Sequence, residues 1–103
     1  MIKKYLVSPD IMVKTAIEVM NKESIKAVVV VNTEKKVLGV FSDGDMRSYF
    51  LKGGDLSANI CSAMNKTPIL YKSKEIIEFE KRDFIRVIYP IVDDNDHIID
   101  IID

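Results

Sequence analysis

The side chains best placed to do chemistry lie in the passage GVFSDGDMRSYF, residues 39–50. An apolar run ends there in the polar residues Ser42, Asp43, Gly44 and Asp45, and an amphipathic pattern follows. The carboxylate of Asp45 and the hydroxyl of Ser42 can hydrogen-bond the hydroxyl groups of a ligand, and free N–H groups at the start of a helix favour an anion. The same spacing is also a capping box, in which the two side chains bond each other's backbone amides. The residues alone leave both interpretations open.

Other residue types that often carry chemistry stand apart from one another in this sequence. The single histidine, His97, and the single cysteine, Cys61, have no Cys or His at metal-ligand spacing beside them. The acidic residues Asp93, Asp94 and Asp96 lack the glycine and terminal glutamate of a calcium loop and predict a hairpin turn. From this spacing we expect no metal site. No nucleophile has a matching base, so we also expect no catalytic residue and no enzyme activity from this chain alone.

Composition excludes several further classes of protein. The 103 residues are 48% hydrophobic with a net charge of -1, which suits one globular domain and gives no basic stripe for nucleic acid. No apolar run approaches the roughly 18 residues of a membrane span, and no signal peptide is evident. One cysteine cannot form an internal disulfide, which favours a reducing, cytoplasmic location.

Hydrophobic periodicity predicts the elements that must position the polar cluster. One-faced apolar stripes indicate amphipathic helices, and short β-branched runs indicate strands, the first of them covered on both faces. The predicted helices are 13–22, one that carries Met46, Tyr49 and Phe50 and stops at Gly53-Gly54, and a short one at about 56–64; the predicted strands are 27–31 and 37–41.

The second part of the chain repeats the first. Residues 76–86 align with 16–26 at an offset of 60, and residues 90–99 align with 29–38 at an offset of 61. Each copy should cover the apolar face of the other, so we expect one shared core. The second copy has Asp100 where the first has Gly39, and the sequence ends before a counterpart of Asp45. The residues expected to cover the first copy are Ile91, Val92, Ile98, Ile99, Ile101 and Ile102.

With this repeat, the spacing of Gly39, Ser42 and Asp45 resembles the motif of a CBS domain pair, the tandem module named after cystathionine β-synthase. The resemblance implies an α/β (α+β) fold of tandem βαββα repeats packed as one pseudo-two-fold domain, 1–103. Repeat one would span about 8–66 and repeat two about 67–103, the latter truncated. Residues 39–69 are more narrowly similar to the pairs fused to sugar-phosphate nucleotidyltransferases of surface-glycan biosynthesis.

The resemblance also implies a ligand, an adenine nucleotide such as AMP, ADP or ATP. Asp45 would hold both ribose hydroxyls, Ser42 would support it, and Gly44 would allow close approach. Lys26 would approach the phosphates. The remaining residues would surround the base, with Thr67, Pro68 and Ile69 helping to enclose it and Ala27 and Phe41 forming an apolar wall.

The function that follows from the resemblance is a regulatory nucleotide-binding module that requires no cofactor. Its single site would report to a covalently attached catalytic domain after Asp103, a nucleotidyltransferase if the narrower similarity holds. The alternative is an interaction module that pairs subunits and binds nothing, which the loss of the second motif favours. In either case we expect a homodimer, with an apolar patch formed by Met46, Tyr49, Phe50 and Ile60 as its interface.

Overall fold

The computed structural model describes residues 2–73 and 88–102 and confirms the mixed α/β fold class. In chain order the elements are a 3-10 turn Lys3–Tyr5, strand β1 Leu6–Val7, helix α1 Val13–Glu23, strand β2 Ala27–Val31, strand β3 Val37–Ser42, helix α2 Asp43–Leu51, a 3-10 turn Ile60–Ser62, strand β4 Tyr89–Val92 and strand β5 Ile98–Ile102. The predicted helix at 13–22 and both predicted strands are therefore confirmed. Strand β1 lies before residue 8, where we expected repeat one to begin. The aligned segment 76–86 lies outside the described residues.

Strand β2 is the centre of the larger sheet and is buried on both faces, as its β-branched composition predicts. It pairs parallel with β1 and antiparallel with β3. Its odd-numbered residues, Ala27, Val29 and Val31, pack in one core cluster with residues of the second repeat, namely Ile88, Val92 and Ile101. Val28 and Val30 pack on the other face against residues of α1. The sheet of repeat one therefore lies between its own helices and repeat two.

The two β-hairpins repeat one another in detail at the offset of 61. Asn32 accepts hydrogen bonds through Oδ1 from the amides of residues 34 and 36, and Asp93 does the same for residues 95 and 97. Both turns contain a non-glycine residue at positive φ, Lys35 at 67° and Asp96 at 65°. The bond from the amide of His97 is the main reason that the pKa of Asp93 is lowered from its ordinary value. The turn is therefore built by the same local chemistry in both repeats, and the hairpin turn predicted from Asp93, Asp94 and Asp96 is confirmed.

The hairpins also meet across a pseudo-two-fold axis between Lys36 and His97, which form an antiparallel bridge. The amide of Val37 donates to the carbonyl of Asp96, and the amide of Ile98 donates to the carbonyl of Lys35, both at 2.9 Å. Adding 61 to the residue numbers of one repeat gives those of the other, so the two bonds are equivalent. The tandem repeats thus pack as one pseudo-symmetric domain, which confirms that part of the expected fold.

The predicted short helix at 56–64 is wrong, because only the turn Ile60–Ser62 is helical. The carbonyls of residues 56 and 58 instead accept from the amides of Lys14 and Val13 at the N-terminus of α1, where the N-cap residue Met12 makes no side-chain cap. These bonds satisfy donors that a helix start leaves without partners. Side chains of Asp55 and Asn59 also bond local amides, and such bonds compete with helix formation.

Two predictions about apolar residues need correction. Ile60, expected on an exposed patch, is fully buried against α1 and β3, because the turn that carries it packs into the core. Ile99, expected in the shared core, is 58% exposed. The register of β5 shifts opposite Ile91 and Val92, which leaves Ile99 as the extra residue of a β-bulge. Ile98 therefore packs with Ile101 in its place. Ile91, Val92 and Ile101 are buried as expected.

Candidate functional site

The polar cluster at the end of β3 forms a complete capping box. Ser42 has extended backbone angles, and its Oγ accepts from the amide of Asp45 at 3.2 Å. Oδ2 of Asp45 accepts from both the amide and the hydroxyl of Ser42, each at 2.9 Å. Within the part of the chain that the structure describes, Oδ1 of Asp45 has no hydrogen-bond donor. The cap therefore uses one carboxylate oxygen and leaves the other available for a ligand.

The register of the sheet decides which way Ser42 faces. Ser42 lies directly opposite Ala27, and residues opposite each other in an antiparallel pair share a face. Ala27 belongs to the core between the two repeats, and the neighbouring Val40 packs against the same core. Ser42 is thus on the side of the sheet that faces repeat two. The amide of Asp43 donates to the carbonyl of Lys26 at 3.0 Å, so the start of β2 adjoins the start of α2.

A cleft of about 400 Å³ opens beside Asp45, between helix α2 and the segment 62–65. Its lining residues are Asp45, Ser48, Tyr49 and Lys52 from α2 and its C-cap, and Ser62, Ala63, Met64 and Asn65 from the facing segment. This volume falls at the lower end of the roughly 300–1,000 Å³ that small-molecule sites occupy. The cleft carries a carboxylate, an ammonium and an apolar stretch, which can contact hydroxyl groups, an anion and an apolar surface of a ligand.

Gly39 lets the facing segment approach the sheet. Asn65 exchanges two backbone hydrogen bonds with Val40, at 3.0 and 2.8 Å. A Cβ on Gly39 would lie 2.7 Å from Sδ of Met64 and 2.8 Å from the carbonyl oxygen of Asn65. Oδ1 of Asn65 in turn accepts from the amide and hydroxyl of Thr67. The glycine of the motif therefore positions one wall of the cleft and the start of the 67–69 segment.

The structure brings only some of the predicted site residues together. Ser42, Gly44 and Asp45 are adjacent, and Thr67 is tied to the cleft through Asn65. Thr67 and Ile69 are exposed, the latter by 49%, and Pro68 is half-buried.

The two residues expected to form an apolar wall lie on opposite faces of the sheet. Phe41 is fully buried in the core that packs against α1, whereas Ala27 is fully buried in the core between the repeats. They can support a ligand site from beneath but do not form one wall. A Cβ on Gly44 would meet nothing closer than Oγ of Ser42, at 3.7 Å, so the fold itself does not require glycine there.

Sequence reasoning missed Ser48, Tyr49 and Lys52 as cleft residues. Their spacing of three, four and seven from Asp45 is the signal that could have found them, because such positions share a helix face. Asn65 carries no such local signal, since its place depends on pairing with Val40.

Metal ligation and membrane insertion find no support among the described residues. No group of three or more His, Cys, Asp or Glu side chains is arranged to hold a metal ion within residues 2–73 and 88–102. None of the helices in those ranges has the length and apolarity that a membrane crossing requires.

Comparison with known proteins identifies the family. The family model of the CBS domain matches residues 1–52. An inosine-5'-monophosphate dehydrogenase of Aquifex aeolicus is 32% identical over 80 residues, which are 78% of this chain and 16% of that protein. The chain spans 16% to 24% of the length of the curated relatives that it matches.

Solved structures agree with the family model. A CBS-domain containing protein from Agrobacterium tumefaciens has a TM-score of 0.75 at 25% identity, and the match covers 94% of this chain and 75% of that one. A CBS domain protein from Pyrobaculum aerophilum complexed with AMP has a TM-score of 0.74 at 15% identity, with coverage of 94% and 77%, and supports the fold alone. Since the family model matches half of the sequence and the repeats pack about a pseudo-two-fold axis, this chain belongs to the CBS domain family.

Proposed function

We propose that this chain is a regulatory module that binds one adenine nucleotide, such as AMP, ADP or ATP, beside Asp45. The observation that carries the proposal is the position of the Ser42–Asp45 pair. Ser42 lies on the side of the sheet that faces repeat two, and Asp45 borders an open cleft. The membership of this chain in the CBS family adds support, and a structural neighbour with the same fold was solved in complex with AMP. CBS modules are regulatory and not catalytic, so the chain itself is not an enzyme.

In this proposal the ribose hydroxyls donate to Oδ1 of Asp45 while Oδ2 continues to cap α2. Ser42 holds the carboxylate in place through its amide and hydroxyl. Gly44 leaves space for the sugar at the first turn of α2. Thr67, Pro68 and Ile69 enclose the base from the side of repeat two, while Ala27 and Phe41 support the floor of the site.

The first test is a calorimetric titration of the purified chain with AMP, ADP and ATP. We expect saturable binding of one nucleotide per chain in the Asp45 cleft, because the sequence contains a single copy of the Gly39–Ser42–Asp45 motif. Ribose 5-phosphate serves as the control, since it retains the diol and phosphate but lacks the base and should bind more weakly. Absence of binding by all three adenine nucleotides would contradict the proposal, and two equivalent sites would contradict the single-site assignment.

A second part of the proposal concerns the whole protein. The similarity of residues 39–69 to pairs fused to sugar-phosphate nucleotidyltransferases supports an attached catalytic domain of that kind after Asp103. The matched relatives are several times longer than this chain, which fits a module that regulates a larger protein. The reading frame beyond Asp103 tests this directly, because a glycine-rich nucleotidyltransferase start is expected there. We place the protein in the cytoplasm, in agreement with its single cysteine, Cys61.

The exposed apolar residues at the end of α2 favour a second function, in which the module pairs subunits. Phe50 is 37% exposed and Leu51 is 87% exposed. Met46 and Tyr49 are only partly exposed and pack on the core, so the interface that we propose is centred on Phe50 and Leu51 rather than on the full set predicted from the sequence.

Light scattering at micromolar concentration tests the homodimer. We expect a dimeric mass for the wild type and a monomeric mass for Leu51→Glu, because a buried carboxylate without a partner opposes association. Arg47→Glu is a control for added negative charge on exposed α2. A monomeric wild type would refute the dimer, and a dimer that survives both Phe50→Glu and Leu51→Glu would move the interface elsewhere.

A further inference from the structure

We propose that Lys52, rather than Lys26, is the cation that binds the phosphate of a nucleotide held by Asp45. This inference rests on the proposed function and names the second anchor of the same site. The sequence resemblance pointed to Lys26, whereas the structure places Lys52 in the lining of the Asp45 cleft.

The geometry of α2 aligns the two charged side chains. Asp45 lies in the first turn and Lys52 is the C-cap residue, seven positions later on the same face. Seven residues advance about 10 Å along a helix. Helical side chains lean toward the N-terminus, and both Lys52 and Asp45 line the cleft, so the long, flexible stem of Lys52 can reach back toward Asp45. A ligand with a diol at one end and an anionic group at the other can therefore contact both residues.

The surface between the two charges suits the sugar that joins the diol to the phosphate. Ala63, Met64 and the ring of Tyr49 line this part of the cleft. The hydroxyl of Tyr49 donates to the carbonyl of Asp55 at 2.8 Å and accepts from its amide at 3.0 Å. Because both bonds hold the hydroxyl on Asp55, the hydroxyl of Tyr49 does not compete for the ribose or the phosphate.

Lys26 occupies a different place. It precedes β2, its side chain is exposed, and it is absent from the lining of the cleft. It is connected with the site through its backbone carbonyl, which accepts a hydrogen bond from the amide of Asp43. Replacing the Lys26 side chain therefore leaves that bond intact, which makes Lys26 a matched control for Lys52.

Lys52 also has a simpler role, since a cation at the C-terminus of a helix interacts favourably with the helix dipole. That role affects stability and is independent of the ligand. A phosphate contact, by contrast, affects AMP and leaves adenosine unchanged. The two ligands thus separate the two roles.

The test measures the affinities of adenosine and AMP for the wild type, Lys52→Met and Lys26→Met by calorimetry at two salt concentrations. We expect Lys52→Met to weaken AMP binding by about 5- to 20-fold, to leave adenosine binding unchanged and to reduce the salt dependence of AMP binding. Lys26→Met should bind both ligands as the wild type does. Thermal melting of the free variants reports the dipole effect separately.

Each other outcome overturns the inference. An unchanged ratio of AMP to adenosine affinity in Lys52→Met removes Lys52 from the phosphate site while the proposed function stands. A loss of AMP binding confined to Lys26→Met restores the assignment made from the sequence. Failure of the wild type to bind either ligand refutes the proposed function, and the assignment of Lys52 with it.

Discussion

Asp45→Asn is expected to weaken adenine-nucleotide binding by about 30- to 150-fold, which corresponds to a loss of about 2–3 kcal/mol. The carboxylate accepts two ribose hydroxyls in the proposed complex, and an amide oxygen accepts them less strongly because it carries no charge. Calorimetry with AMP on both proteins measures the difference. Equal affinities would remove Asp45 from the site.

The capping role of Asp45 requires its own control. An Asn side chain can still accept from the amide of Ser42, so the free energy of unfolding should change by no more than about 1 kcal/mol. Asp45→Glu keeps the charge and supplies the more usual partner of a capping box, but it moves the carboxylate by one methylene. We expect Asp45→Glu to fold normally and still bind AMP poorly. A variant that binds poorly because it has lost α2 would show a lowered melting temperature, which separates the two effects.

Gly39→Ala is expected to lower the free energy of unfolding by about 1–3 kcal/mol, the usual cost of overpacking. The added methyl group would lie 2.8 Å from the carbonyl oxygen of Asn65, and that backbone is held by two hydrogen bonds to Val40. The side chain of Met64 can move aside, but the paired backbone cannot do so without losing those bonds. Urea denaturation of the two proteins measures the change.

Gly44→Ala is the matched control for Gly39→Ala. Its added methyl group meets Oγ of Ser42 at 3.7 Å, an ordinary contact, so stability should stay the same or rise by about 0.4–1 kcal/mol. If Gly44 serves the ligand, this variant should fold well and bind AMP less tightly. Equal urea midpoints for the two glycine variants would show that the segment at 64–65 adapts freely, which would contradict the role assigned to Gly39.

Local patterns predicted the parts of the fold whose cause is local. The unbroken run at 27–31 indicated a strand covered on both faces, and Ser42 with Asp45 indicated a cap, because each signal lies within a few residues. The internal repeat also allowed a long-range prediction, because two aligned copies predict a shared core even when the turns between their strands are unknown. The equivalent hairpins of Asn32 and Asp93 confirm that alignment.

Other features depend on contacts that are distant in sequence. Leu56, Ile60 and Met64 have helical spacing, but the carbonyls of that segment bond the start of α1 instead. Phe41 and Ala27 were expected to form one wall, yet the pairing of Ala27 with Ser42 places Phe41 on the opposite face. Register and long-range pairing decide both cases, and neither can be read from a single segment.

The measurement that tests the central claim most directly compares AMP with 2′,3′-dideoxy-AMP on the wild type and on Asp45→Asn. If Asp45 holds the ribose diol, the wild type should prefer AMP by about 30- to 150-fold, and the preference should nearly vanish in the variant because both changes remove the same interaction. A preference of the same size in both proteins would show that another residue recognises the diol and would contradict the assignment of Asp45.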